Sequence, residues 1–344
     1  MGNSDRIDYI DTAKGMGILF VVIGHHLLGA DVLRAWINSF HMPMFFMITG
    51  YLFSYKNETY KDIKQMIKEK ARRILYPYFT FSILIFVWYM VYYIILRSEP
   101  DESLECVLTK IVTTYGYHAL WFLPTLFFGT ILFLFINKRE KSNGLFFGLI
   151  ILGSMLSIFI NIPVIKEKFY WYVLNYFTRG IIATGFIYLG FKLECIDKKI
   201  HNKRIECLLI MLSLIISVIL LRFNFDKANL ALSRMGNPFL YYVLAISGSA
   251  FIILLCKQLN MRKGVFNFWG RNSLIIMAIH MDLPVEIAWI IVGVSGLSTT
   301  LPQLGAASIV VIIELIIEST CVILINKYFR FMIVDNCYNL NKLR

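Results

Sequence analysis

The chain has 344 residues, 58% of them apolar and only 16% Asp, Glu, Lys or Arg, with a mean hydropathy of +0.66. A soluble domain carries roughly 25% charged residues, so this chain cannot cover a water-facing surface; a cytosolic enzyme, a disordered chain, collagen and a disulfide-stapled secreted scaffold are excluded. Its net charge of +12 would point to nucleic acid in a soluble protein, but in a membrane protein basic residues gather in cytoplasmic loops, so no nucleic-acid partner is expected. The six cysteines (Cys106, Cys195, Cys207, Cys256, Cys321, Cys337) form no CxxC pair. They read as apolar filler, with neither disulfide nor metal site expected.

In chain order, the first fifteen residues carry charges of both signs and no small-residue cleavage site, so the start reads as retained rather than as a signal peptide. Charged, Pro and Gly clusters then cut the chain into ten apolar stretches, 15–33, 37–54, 76–96, 119–136, 145–162, 176–193, 207–222, 238–256, 273–294 and 304–326. Each is close to the roughly 20 residues a helix needs to cross a bilayer. With the N-terminus inside, 25 of the 34 Lys and Arg fall on the cytoplasmic side and nine outside, the asymmetry expected of positive inner loops. The expectation is an all-α polytopic membrane protein of about ten transmembrane helices, both termini cytoplasmic. It forms a single transmembrane domain over 1–344, with no appended soluble domain and no internal repeat.

Ionisable side chains inside a membrane are costly and persist mainly where they line a cavity or pair. Lys14 and His25 are eleven residues apart, which returns them to within about 20° of one helix face and separates them by roughly 16 Å along the axis. Asp11, one turn before Lys14, is placed to pair with it, and His26 adjoins His25. One face thus runs from a cation at the cytoplasmic mouth to an imidazole expected near mid-depth. In the second stretch, Phe40-His41-Met42-Pro43 reads either as a helix entry or as part of a site. The basic run Lys61–Arg73 has helical apolar spacing and should lie along the inner surface, either on anionic lipid or against an anionic substrate. Farther on, Arg179, His280, Asp282, Glu286, Glu314 and Glu318 fall within spans. Glu314 and Glu318 share a face and either line a polar groove or, more in keeping with buried carboxylates, pair with Arg179 or Arg271.

Taken together, Asp11-x-x-Lys14-Gly15 followed by His25, the phrase FHMPMFFMITGYLF at 40–53, the basic run ending Arg72-Arg73-Ile74-Leu75-Tyr76-Pro77, the His118-Ala119-Leu120-Trp121-Phe122-Leu123 element and the Ser273-to-His280 phrase resemble, in order, the membrane-bound acyltransferase 3 family. The diagnostic piece is a basic residue, ten positions, then His in the first span. Many members carry Arg where this chain has Lys14, which keeps the charge but loses the bidentate fork.

The resemblance implies transfer of an acyl group, most often acetyl, from cytoplasmic acyl-CoA, a co-substrate rather than a resident cofactor, to a hydroxyl of a cell-envelope glycan or lipid-linked sugar. It also implies a multi-pass protein of the cell membrane, the bacterial plasma membrane in particular. Lys14, Lys70, Arg72 and Arg73 are then the acyl-CoA phosphate ligands. Lys14 and His25 form the catalytic pair, with His25 the imidazole, either as general base toward the sugar hydroxyl or as the nucleophile of an acyl-histidine. His41, His118, Trp121 and His280 shape the acceptor pocket or steady the oxyanion. The rival reading is a secondary transporter with a buried His/Glu relay; the two related halves common in transporters are not visible here.

Overall fold

The computed structural model describes residues 7–26, 31–58, 62–96, 102–139, 142–166, 170–200, 202–225, 227–259, 264–281, 283–296 and 303–333. Asp282 and Cys337 lie outside them. The elements are helices α1 (Asp8–His26), α2 (Asp31–Tyr55), α3 (Ile63–Lys70), α4 (Tyr76–Leu96), α5 (Leu104–Val112), α6 (Phe122–Asn137), α7 (Ser142–Phe159), α8 (Pro163–Lys166), α9 (Trp171–Asp197), α10 (Lys203–Leu221), α11 (Pro238–Leu259), α12 (Val265–Arg271), α13 (Ser273–Ile279), α14 (Leu283–Val294) and α15 (Gln303–Tyr328). Among the described residues the β structure is one antiparallel bridge between Asn229 and Arg234.

Among the described residues each of the ten apolar stretches falls mostly on helix. By length and composition six helices among the described residues can cross a membrane, or seven if a bent pair counts as one span. α1, α2 and α9 are outside that set although they have 19, 25 and 27 residues. Helix α1 carries Asp11 and His26 inward, α9 carries Asn175, Arg179 and Glu194, and α2 carries Ser39 and Ser54, and a helix buried by protein rather than by lipid need not be apolar throughout.

Two expected boundaries move. The basic run is no separate surface helix: α3 continues through a π-helical turn, Ala71–Leu75, into α4, giving one helix from Ile63 to Val91. Pro77 has no N–H to give the Arg73 carbonyl four residues back, and the Tyr76 N–H bonds the Ala71 carbonyl instead, so the turn widens and re-aims the two arginines. The stretch 273–294 is broken into α13 and α14 at 63°. Pro284 explains this, since a proline ring clashes with the carbonyl of the residue four before it, here His280.

Close helix crossings fix the arrangement. A Cβ on Gly50 would lie 1.8 Å from the Ile187 carbonyl oxygen, and one on Gly190 1.9 Å from that of Met47, so α2 and α9 touch backbone to backbone. Such approach is what drives helix association in lipid, where apolar burial gives no preference for protein over tails. At the end of the bundle that holds Lys14, polar groups close the gaps. Lys257 bridges Asp197 (2.6 Å) and Glu206 (2.9 Å), Tyr51 donates to Asp197, and Ser54 donates to Glu194. We call this the basic end, and the opposite one, where α1 stops at His26, the histidine end.

Candidate active site

Asp11 bonds Lys14 Nζ at 3.4 Å and lies 3.6 Å from Arg271 Nε, and Arg271 reaches Asp8 at 3.3 Å. Lys14 is thereby fixed beside the mouth of a cavity of about 310 Å³ at the basic end. Lys14, Lys56, Lys70, Arg73 and Glu58 line this cavity, and its floor is formed by Phe45, Phe53, Phe122 and Leu126. Lys70 bonds Glu58 at 3.3 Å and sits 4.6 Å over the Phe53 ring. Of the four expected phosphate ligands the structure brings Lys14, Lys70 and Arg73 together; Arg72, one residue around the π turn, is exposed and does not line the cavity. Lys56 was not singled out from the sequence, being one of several loop lysines.

The histidine end holds a larger cavity of about 590 Å³. His25, His41, His118 and His280, four of the chain's six histidines, line it together with Trp121 and Asn38. His25 and His118 expose their rings to it. His25 lies in the last turn of α1. Neighbouring Gly24 faces Ile37 and Asn38, six to seven residues into α2, which is about 10 Å from that helix's start.

The histidines differ in what their ring nitrogens can do. His41 Nδ1 lies 2.8 Å from the Ile37 carbonyl, and His280 Nδ1 lies 3.1 Å from the Met277 carbonyl. A carbonyl only accepts, so in the neutral ring Nδ1 carries the hydrogen and Nε2 the lone pair. Both residues therefore suit accepting a hydrogen bond or a proton and do not suit the oxyanion donor role that the sequence left open. His280 Nε2 is buried without a partner, and its ring lies 5.3 Å from that of His25. His118 stacks on Tyr117 at 3.9 Å and has a φ of 45°, the left-handed region that costs a non-glycine residue about 1–3 kcal/mol and clusters at functional sites.

His26 points elsewhere. Its Nε2 meets Glu314 at 2.5 Å, and both line a third cavity of about 230 Å³ with Met281, Val285 and Trp289. Glu314 and its neighbour Glu318 thus pair with neither Arg179 nor Arg271 as expected; helix α15 sits against the end of α1, and the imidazole takes the carboxylate. Glu286 is exposed on α14. Arg179, fully buried, donates instead to the carbonyls of Tyr115 (2.7 Å) and Ala231 (3.2 Å) and lies over the rings of Tyr115 and Trp121.

The basic and histidine cavities meet at one side chain, Met277, which lines both. On either side of that neck Trp121 faces one cavity and Phe122 the other, and Met42 faces one and Phe45 the other. The face from Lys14 to His25 thus runs from one cavity to the other, with Met277 lining both.

The chain matches the family model described as an acyltransferase domain over residues 7–319. It is 28% identical over 190 residues to the nodulation protein NolL of Mesorhizobium japonicum, a match that covers 51% of this chain and 48% of that relative. The chain therefore spans about half the length of the curated relative it matches. No solved structure matches it. With the family model covering nearly the whole chain and its apolar helices packed around that two-cavity path, the protein belongs to the acyltransferase 3 family of membrane acyltransferases.

Proposed function

We propose that the protein moves an acyl group, acetyl in the simplest case, from cytoplasmic acyl-CoA to a hydroxyl of a cell-envelope glycan or lipid-linked sugar on the other side of the plasma membrane. The observation that carries this reading is the pair of cavities sharing Met277, one rimmed by cations and the other by imidazoles. In this reading the basic end faces the cytoplasm, as the distribution of Lys and Arg suggests, and ten helices cross.

The basic cavity is too small for a whole nucleotide thioester. Its apolar floor suits the pantetheine arm, while Lys14, Lys56, Lys70 and Arg73 at the mouth take the phosphates. The roughly 16 Å between Lys14 and His25 is within reach of an extended arm. At the far side the acceptor oxygen attacks the thioester carbon as the His25 imidazole takes the hydroxyl proton. The C–S bond then breaks and that proton passes to the departing thiolate. The acyl-histidine route places the same imidazole on the carbonyl carbon first. Membership of an acyltransferase family favours transfer over the transporter reading.

The test is to supply labelled acetyl-CoA to the purified protein in sealed vesicles and to compare the envelope glycans of cells with and without the gene by mass spectrometry. A gene-dependent gain of one acyl unit supports the reading, and its absence overturns it. The donor site gives a finer check. Arg73→Ala should weaken acyl-CoA binding by about tenfold, as for loss of one charge-assisted hydrogen bond, and the effect should shrink as salt rises. Arg72→Ala, outside the cavity, should leave binding nearly unchanged; equal effects would return the basic run to a lipid-binding role.

A further inference from the structure

Proton transfer does not use everything in the histidine cavity. Three cations, Arg34, Lys227 and Arg234, line it with the histidines, and no carboxylate lines it among the described residues. This is the end of the bundle where basic residues are scarce, nine of 34 by the sequence count, and three of those nine gather at this one opening. Arg34 is held by Asp31 at 3.3 Å. Arg234 Nε donates to Asn161 Oδ1 at 3.3 Å. Nearby Lys166 is held below its ordinary value, first by partial burial and then by the Arg234 charge, which places a fourth cation close to Arg234.

The segment that presents Lys227 and Arg234 is pinned from below. Asn224 Nδ2 donates to the Met235 carbonyl and its Oδ1 accepts from the Asn237 N–H. Asn175 bonds Ser233 and donates to the Ala231 carbonyl. Asn161 donates to the Leu232 and Ser233 carbonyls, and Arg179 donates to Ala231. Burying polar side chains is costly unless each finds partners, and here three buried ones, Asn175, Asn224 and Arg179, with half-buried Asn161, serve the backbone of one short loop. Its bridge between Asn229 and Arg234 and the left-handed Ser233 (φ 51°) set a fixed shape. A loop so held presents its cations with little backbone ordering left to lose on binding.

We infer that the acceptor is an anionic saccharide, one carrying phosphate or carboxylate groups, and that Lys227 and Arg234, with Arg34 opposite, hold that charge while the hydroxyl lies at the histidines. This inference rests on the acyl-transfer reading of the same cavity. A guanidinium and an ammonium converging on one cavity suit phosphate or carboxylate oxygens, whereas a neutral sugar gains nothing from the charge of cations gathered at the rim.

The experiment compares the gene-dependent acylated glycan from cells carrying the unsubstituted chain, Lys227→Gln/Arg234→Gln, or Lys227→Arg. The acylated species should be retained on anion exchange, and the double variant should lower acylation by about tenfold or more. Acetyl-CoA binding by the purified double variant should be unchanged, and Lys227→Arg, which keeps the charge, should acylate well above the double variant. Loss of retention after mild-acid cleavage would identify phosphate as the source of charge; loss after carbodiimide-coupled reduction would identify carboxylate. A neutral acylated species, or full activity in the double variant, overturns the inference and leaves acyl transfer standing. No acylated species at all in cells with the unsubstituted chain would overturn acyl transfer itself, and this inference with it. Loss of acetyl-CoA binding in the double variant would mean that the two residues act through the fold, and would also overturn it.

Discussion

His25→Ala is expected to lower acyl transfer by about 10²–10⁴-fold, the range of a lost general base, with acyl-CoA binding unchanged because the phosphate ligands stand roughly 16 Å away along α1. The fold should survive. His25 is exposed to its cavity and contacts the His280 ring, so shortening it strands no buried charge. His26→Ala makes the contrast, since it would leave Glu314, 1% exposed, without its imidazole. Breaking a buried pair in this way costs about 3–5 kcal/mol. A variant inactive for that reason would lose its thermal unfolding transition, and His25→Ala would not. Retained acylation in His25→Ala would remove it from the chemistry.

His41 is the residue to set beside it. Its Nδ1–H is engaged by the Ile37 carbonyl at 2.8 Å, so its Nε2 is an oriented acceptor at the cavity, and it would serve equally well as a base on geometry alone. It lines the acceptor cavity ten residues after the start of α2, while the face of α1 that runs from Lys14 leads to His25, so His41 falls to the acceptor. His41→Ala should therefore cost about tenfold, the loss of one hydrogen bond to the acceptor, and act mainly on KM. If the order of the two effects is reversed, the base is His41.

The parts of this site that were legible in the sequence are those that ride on a single helix. Lys14, Asp11 and His25 follow from a period of 3.6 residues, and the pairing of Lys14 with Asp11 is the i,i+3 contact that period requires. What joins elements was not legible. Glu314 faces His26 across 288 residues of sequence, and no spacing along α15 distinguishes that partner from Arg179. Arg179 itself donates to backbone carbonyls, which leave no signature in side-chain chemistry. The loop cations Lys227 and Arg234 lie in a stretch without periodicity, and their place at the cavity depends on the asparagines beneath them. The break before α14 could have been found: Pro284, four residues after His280, ends the preceding helix.

Met277→Trp carries the strongest consequence for the path between the two sides. Met277 is 3% exposed and lines both cavities, so a thioester arm entering from Lys14 must displace this side chain to reach His25. A methionine suits such a neck, because an unbranched thioether swings among rotamers at little cost. An indole would fill the neck and stay there. The expected result is acyl-CoA binding preserved at the basic cavity with transfer lost by at least about 10²-fold, as for removal of the base. Overpacking of a core position costs about 1–3 kcal/mol, so the variant's unfolding temperature should fall while the protein remains inserted. Met277→Ala separates blockage from distortion: it opens the neck, should keep transfer at or above the unsubstituted rate, and should raise the leak of thioester to hydrolysis as water enters behind the arm. Undiminished transfer by Met277→Trp would mean that the donor arrives by another route. The third cavity, between His26 and Trp289 on α14 and touching His25 from the lipid-exposed flank, would then be the place to block next.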